Sequence, residues 1–485
     1  MQAAGRRSSR WPGWRLDASL LALGAVLLRL PAYFSARELV IDEGVYSSAA
    51  LAMRDGATPF RQVFSSQGPL HLPLIYGFDL LGGRTLDSPR LLAVASGVVV
   101  ALAVYATGRY VGTRAGALLA GALVASTGSI LWTTAPLTGD GPAAALTALA
   151  VLGAFAWRDR PTRTRAALTG IAMGAALAVK VLVALAAIPI GLVFLTTVAL
   201  DLRARVRDLS IAVGAAVVVI VASVLPWGVH RVVDQSITYH TKGPRLETVH
   251  QQFDKVVSTL PSRDLPLLAT VALGAVFALL ARRRTNRATE TSPTNHDVAF
   301  VLAWLLPLLV VLIFEKNLWR PHLAALALPL ALLVALRPPP LRWFAVALVF
   351  LVPWWGVHLH DILWPAAPSG PTAAVVAQLR ALPPGAWVLS DDPGLAWRAG
   401  RRVPANLVDG SILRIDEHLV TTATVRRAAA NPRVCAAVVW SSRWGRDLPG
   451  LPAALRAEGF VVRRRYAPYQ VLWVKPAPRC APPAS

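Results

Sequence analysis

The sequence predicts a mainly α-helical fold: a polytopic membrane helical bundle of about eleven spans, with a long first extracytoplasmic loop and a small C-terminal α/β extracytoplasmic domain. Three observations carry this. First, 55% of the 485 residues are hydrophobic and only 15% are charged, and mean hydropathy is +0.51. Soluble domains hold about 45–50% apolar and about 25% charged residues. That argues against a soluble enzyme of this length, and against a disordered chain, which would lack the apolar content. Second, apolar residues come in runs long enough to cross a bilayer, roughly 20 residues each. Third, arginines gather in alternate loops between the runs, as topology signals do.

Arg6, Arg7, Arg10 and Arg15 precede an apolar run at about 16–34. It reads as a first helix running from inside to outside. A cleaved signal peptide is the competing reading, but no small-residue cleavage site follows and many more spans do. Further runs lie at about 91–107, 113–131, 142–157, 166–178, 181–200, 209–228, 264–281, 298–314, 320–336 and 341–357. Several are short for a hydrocarbon core of about 30 Å, so their boundaries are soft. Gly68–Gly83 is apolar enough to tempt a twelfth span. If it stays on one side, Arg109/Arg114, Arg158/Arg160/Arg163/Arg165, Arg203/Arg205/Arg207, Arg282/Arg283/Arg284/Arg287 and Arg337/Arg342 join the N-terminal four, nineteen arginines on one face. If it crosses, the positive-inside bias is broken repeatedly. The segment also holds Pro69, Pro73 and Asp79. It is read as a juxtamembrane or re-entrant helix on the outer face.

The outer face then receives a long first loop at about 35–90, a short loop around Thr133–Gly141, a loop of about 229–263 and everything after about 360. The last part carries 16 Lys+Arg and 7 Asp+Glu between 366 and 485 and is no longer membrane-like. β-rich runs at Trp387–Ser390, Val434–Trp440, Phe460–Val462 and Val471–Val474 are separated by helix-like stretches at Thr372–Leu382, Thr421–Ala430 and Leu451–Glu458. That alternation suggests a small α/β domain. The organisation is thus a transmembrane domain over 1–360 and an extracytoplasmic α/β domain over 366–478, with Pro365–Pro371 as linker and a disordered end over Pro476–Ser485. The net charge of +23 serves mostly as a topology signal, so no nucleic-acid partner is implied. Cys435 and Cys480 are the only cysteines. They are too few for a disulfide framework or a thiolate metal cluster, and pairing between them stays open.

Ile41-Asp42-Glu43-Gly44-Val45-Tyr46 opens the first outer loop with two carboxylates just beyond the first span. Acids complement the dipole of a helix N-terminus, which is the bland explanation. The functional one is a general base at the membrane surface, where a partly desolvated carboxylate accepts a proton from an attacking hydroxyl or amine. Tyr46–Met53 is amphipathic and is expected along the interface, apolar face down. Asp140 is the only charge of the second outer loop, and a helix N-terminal acid before Pro142 explains it as well as a site does. Lys180 lies between two runs on the outer side. A lone lysine there snorkels; its functional partner is an anionic lipid phosphate. Asn317, Arg320 and His322 cluster where the arginine bias needs no cation, which favours a phosphate-facing role. His358, His360 and Asp361 have a metal-like spacing, but three ligands cannot converge from four residues of one helix end. Arg463–Arg465 read as a solvated or headgroup-facing edge. No Gly-rich phosphate loop supports a nucleotide-driven pump.

With Asp42-Glu43 in this topology, the sequence resembles the integral-membrane C-type glycosyltransferases, in the branch of protein O-mannosyltransferases and lipid A aminoarabinose transferases. The likeness rests on the acidic pair after the first helix, the long first loop with juxtamembrane helices, Gly68-Pro69-Leu70, Asp140 and a soluble C-terminal domain. It covers about 15–357. It implies an enzyme that moves a hexosyl or pentosyl group from a polyprenyl-phosphate donor to a cell-envelope acceptor (glycan, lipid or protein) on the outer face. Asp42 is implied as base or acceptor-orienting group, with Glu43 beside it and Asp140 as the second-loop acid. The family places a lysine before the first-loop proline, on donor phosphate. Here that place is Gln67, and Lys180 or Arg320/His322 are the candidate replacements. Asp42, Glu43 and Asp140 are therefore expected to be catalytic, and Tyr46, Gln67, Lys180, Arg320 and His322 to contact substrate or lipid phosphate. No cofactor is firmly implied and no metal ligand is assigned; a divalent cation stays open. Expected partners are the donor, the acceptor and membrane lipids.

Two other classes compete. A secondary transporter or permease of envelope precursors places ionisable groups near the midplane, often in repeated halves. Here mid-span charges are nearly absent and no repeat is visible. A non-catalytic scaffold that binds envelope polymers through the basic tail leaves Asp42, Glu43 and Asp140 unexplained.

Overall fold

The computed structural model describes residues 13–284, 295–477 and 479–480. Arg6, Arg7, Arg10 and Arg287, the side chains of Arg282, Arg283 and Arg284, and most of the tail expected to be disordered lie outside the described residues. Each apolar run is helical, as a backbone without water to bond to must be. Among the described residues, seven helices are long and apolar enough to cross a membrane, the first spanning Trp14–Tyr33 and the last Leu341–His358. Arg114–Ser126 and Gly128–Thr134 qualify only together, bent by 57°. Val181–Thr196 and Arg320–Leu336 are shorter, and Arg163–Val179 has 17 residues. The chain is thus a multi-pass membrane protein, with seven such helices among the described residues, or eight with the bent pair. The expected eleven counts the shorter ones as well.

Local chemistry sets the helix ends. Thr113, Thr162 and Asp201 cap the helices that follow them, accepting from amides three residues on at 3.1, 3.2 and 2.7 Å. Pro261 and Pro266 flank Asp264, which leaves helical geometry and kinks Val249–Arg284. Gly170 and Gly174 sit one turn apart against the Ala212 and Ala216 backbone, where a Cβ would overlap the carbonyls. This is the small-residue contact that draws membrane helices together. Charges within the runs are satisfied. Arg29 donates to Thr134 Oγ1 (2.9 Å) and the Ala25 carbonyl (2.8 Å). Asp264 accepts from Thr127 Oγ1 (2.6 Å) and the Ser129 amide (2.9 Å).

Gly68–Gly83 forms the helix His71–Leu81. Its 11 residues reach about 16 Å at ~1.5 Å each, half a hydrocarbon core. Its Asp79 is gripped by Arg54 at 2.6 and 2.8 Å. The C-terminal strands are β1 (Trp387–Ser390), β2 (Val434–Val439), β3 (Val461–Ala467) and β4 (Gln470–Val474). They form one sheet in the order β1-β2-β4-β3. β1 runs parallel to β2, while β4 is antiparallel to both β2 and β3. β2 is wholly buried and β3 is an exposed edge. Cys435 of β2 pairs with Cys480 in a disulfide.

One expectation is corrected here. The amphipathic helix Ile41–Arg54 does not present its apolar side to lipid. Tyr46, Ala49, Ala50 and Met53 share a core with Leu72 and Ile75 and with Val375, Leu389, Leu395 and Trp444 of the α/β domain. Gly44 and Gly394 let this helix and Pro393–Arg398 approach backbone to backbone. Local periodicity marked an apolar face correctly; a protein surface, brought from more than 300 residues away, covers it.

Candidate active site

The helix Arg163–Val179 ends because Lys180 is extended (φ −155°, ψ 122°), and the chain restarts as the 3₁₀ turn Val181–Ala186. A helix end leaves carbonyls without partners. The first loop supplies them: the Gly68 and Leu70 amides donate to the Val179 and Ala178 carbonyls, each at 2.9 Å. Gly68 is needed there, because a Cβ would overlap the Ala178 carbonyl. This pairing fixes Gln67 beside the break from which Lys180 projects. Lys180 Nζ donates to Asp140 Oδ1 at 2.7 Å. Asp140 starts the helix Asp140–Asp159, and Gly139 faces the Gln67 side chain.

Asp42 lies in the first turn of Ile41–Arg54. It is half-buried. Burial pushes its carboxyl up to about 6; Asp140 and Asp409 add to the rise, and Lys180 and His322 oppose it. Glu43, one residue on, is fully buried and both its oxygens are taken. Arg90 Nε and Nη2 donate to them at 2.7 and 2.9 Å, and the Leu39 amide donates at 2.9 Å. Arg90 also donates to the Ser35 and Arg37 carbonyls at 2.8 and 2.7 Å. The pair ties the first loop to the helix Leu91–Val111.

Tyr46 is buried, with its hydroxyl toward the Gln67 side chain, and burial raises its phenol well above the usual range. His71 meets the Tyr46 ring edge-on at 4.5 Å. Burial lowers its imidazole to about 3, with Lys180 adding to the fall, so it is neutral. His322 Nδ1 bonds Glu315 at 2.8 Å and lies within electrostatic reach of Asp42 and Asp140. At the Lys180–Asp140 pair an apolar crevice of about 420 Å³ opens, walled by Ala143, Ala144, Leu182, Trp304, Leu308 and Leu328.

The structure thus gathers Asp42, Tyr46, Gln67, Asp140, Lys180 and His322. Glu43 backs this group through Arg90. Arg320 is exposed and lies near Arg263, whose guanidinium covers Trp132 at 5.3 Å. His358 and His360 are exposed, and among the described residues no group of three His, Cys, Asp or Glu is placed to hold a metal ion.

Sequence reasoning missed His71, Gln235, Tyr239 and Asp409. The segment Val229–Lys242, in the third of the loops expected outside, forms a strap over the first loop. Gln235 Oε1 accepts from the Ser65 amide at 3.0 Å, and Ser236 donates to the Gln67 carbonyl at 2.6 Å. Tyr239 OH meets Ser411 Oγ at 2.8 Å. Nothing in the spacing of these residues signals that they meet.

Residues 66–227 match the family described as dolichyl-phosphate-mannose-protein mannosyltransferase. No curated protein matches the sequence. The fold is similar to that of ArnT from Cupriavidus metallidurans bound to undecaprenyl phosphate, with a TM-score of 0.64 at 15% identity, over 98% of this chain and 100% of that one. It is also similar to the archaeal oligosaccharyltransferase AglB from Archaeoglobus fulgidus in complex with an inhibitory peptide and a dolichol-phosphate (0.50, 13%, 96% and 74%). The third likeness is to the arabinofuranosyltransferase AftD from Mycobacteria (0.52, 14%, 96% and 42%). Sequence match and shared fold together bear out the resemblance read from the residues: this chain is similar to the membrane C-type glycosyltransferases of the O-mannosyltransferase and aminoarabinose-transferase branch.

Proposed function

We propose that the protein transfers a sugar from a polyprenyl-phosphate donor to a cell-envelope acceptor at the outer face of the membrane, by one inverting displacement. The observation that carries this is Asp42 set within reach of the Lys180–Asp140 pair at the mouth of an apolar crevice. A lipid-linked sugar needs that combination: apolar walls for the chain, a cation for the phosphate and a base for the acceptor. The bound undecaprenyl phosphate and dolichol-phosphate of two proteins with similar folds agree with such a donor.

In this reading the acceptor O–H gives its proton to the Asp42 carboxylate as the oxygen attacks the anomeric carbon. The bond from that carbon to the phosphate oxygen breaks, and its electron pair leaves with the polyprenyl phosphate. Lys180 stabilises the charge that grows there; Asp140 holds the ammonium in place until the donor arrives. Glu43 acts through Arg90 as a positioning residue. The organisation into a membrane domain over 1–360 and an outer domain over 366–478 is part of the proposal. The test is consumption of labelled polyprenyl-phosphate hexoses and pentoses by purified protein in lipid nanodiscs. Release of polyprenyl phosphate from at least one is expected; none from any would refute the reading.

A further inference from the structure

We propose that Asp409 of the C-terminal domain is a second carboxylate of the acceptor subsite, binding hydroxyl donors of a neutral polyhydroxylated acceptor, so that this domain sets acceptor choice. The inference rests on the glycosyltransferase reading above and adds the acceptor's chemical class.

Asp409 is buried, yet it acts electrostatically on Asp42 and Tyr46 of the first loop and on Tyr239 and His240 of the third. A residue more than 360 positions further along the chain thus lies within electrostatic reach of the reacting carboxylate, on a segment that Ser411 ties to Tyr239, whose ring meets Phe64 of the first loop edge-on at 5.1 Å. Its segment is held from both sides. The Ser411 amide donates to Asp409 Oδ1 at 2.9 Å, and the Ser411 hydroxyl meets Tyr239 OH. Arg414 lies 4.3 Å over the Phe64 ring and donates to the Asp409 and Asn406 carbonyls.

That geometry decides the ligand. The nearest guanidinium, that of Arg414, attracts Asp409 electrostatically, but its hydrogen bonds go to backbone carbonyls and its face to Phe64. Among the described residues no ion pair neutralises Asp409. A buried carboxylate without a direct ion pair is costly unless hydrogen-bond donors satisfy it. The nearby Lys180 is already engaged with Asp140, and the His322 ring bonds Glu315. The wall facing Asp42 therefore offers acceptors and hydroxyls. Neighbouring sugar hydroxyls fit it, one delivering its proton to Asp42 and the next fixed by Asp409. A phosphate or carboxylate acceptor would be repelled.

The test uses full-length protein in nanodiscs, the polyprenyl-phosphate sugar it consumes, and two acceptor probes, octyl glucoside and glucose 6-phosphate. Wild type should use the neutral glycoside and reject the phosphorylated sugar. Asp409→Asn keeps an oxygen for the Ser411 amide and should fold. It should raise the acceptor KM about tenfold or more, the range lost with a charged hydrogen bond, and leave the donor KM unchanged. Asp409→Glu should recover part of the loss. The acid limb of the rate should also move to lower pH in Asp409→Asn. Asp42 is faced by Lys180, His322, Asp140 and Asp409, and this removes one of its two anions. An unchanged acceptor KM, a preference for the phosphorylated probe, or an equal rise in both KM values would overturn the proposal. Failure of wild type to consume any lipid-linked sugar would overturn the glycosyltransferase reading beneath it, and this with it.

Discussion

Asp42 must be ionised to take a proton, and its surroundings oppose ionisation. Burial holds its carboxyl at about 6, so turnover should rise through pH 6 and level above it. The same shift has a stability sign. The folded state binds the proton more tightly than the unfolded chain, whose carboxyl titrates near 3.9. Stability from Asp42 is therefore full at low pH and is lost as pH rises through the window between these values. Asn is neutral throughout. Asp42→Asn should melt no lower than wild type at pH 8, while turnover falls 10²–10⁴-fold, the usual loss of a general base. A surface acid that only complements the helix dipole predicts the reverse, near-normal turnover and up to about 1 kcal/mol of lost stability. Melting and turnover measured on the same preparation separate the two. Asp140 and Lys180 were legible as lone charges, and Asp42 as half of an acidic pair, where an apolar chain meets its surface. Arg90 was not, since its partner Glu43 lies 47 residues away and no local pattern links them.

The elements hold the site through close backbone contacts, and two glycines of the first loop test this against each other. At Gly68 any Cβ meets the backbone of Ala178 and Val179; at Gly77, inside His71–Leu81, it meets nothing within 4 Å. Gly68→Val should force the first loop off the break at Lys180. It should cost about 1–3 kcal/mol, as overpacking does, and lower turnover by displacing Gln67. Gly77→Ala should stabilise by about 0.5–1 kcal/mol, because Gly is the poorer helix former. Thermal melts of both variants in one detergent check the pair. At this scale much was readable. The apolar runs are all helical, and the four β-rich runs fall on the four strands. The bend between Arg114–Ser126 and Gly128–Thr134 was not readable, nor the strap around Asp234–Thr238, nor the covering of Ile41–Arg54. Each depends on a partner distant in the chain, and hydrophobic period reports only that a face is apolar, not what covers it.

Across the whole molecule the first loop meets the C-terminal part of the chain. Arg398 donates to Asp87 at 2.7 Å and Trp397 Nε1 to the Leu86 carbonyl at 2.9 Å, which docks the α/β domain on the first loop. The two must therefore share one side of the membrane. The proposed function requires the outer side, and two arguments support it. The arginine bias favours the cytoplasm for the opposite loops, and a Cys435–Cys480 disulfide suits an oxidising compartment. Reporter fusions after Arg165 and after Trp364 should report opposite sides, with the second outside. In cells whose thiols are trapped before lysis, both cysteines should resist alkylation until a reductant is added. Two free thiols together with a cytoplasmic report after Trp364 would invert every loop. Asp42 would then face the cytoplasm, and an outer-face transfer would have no base.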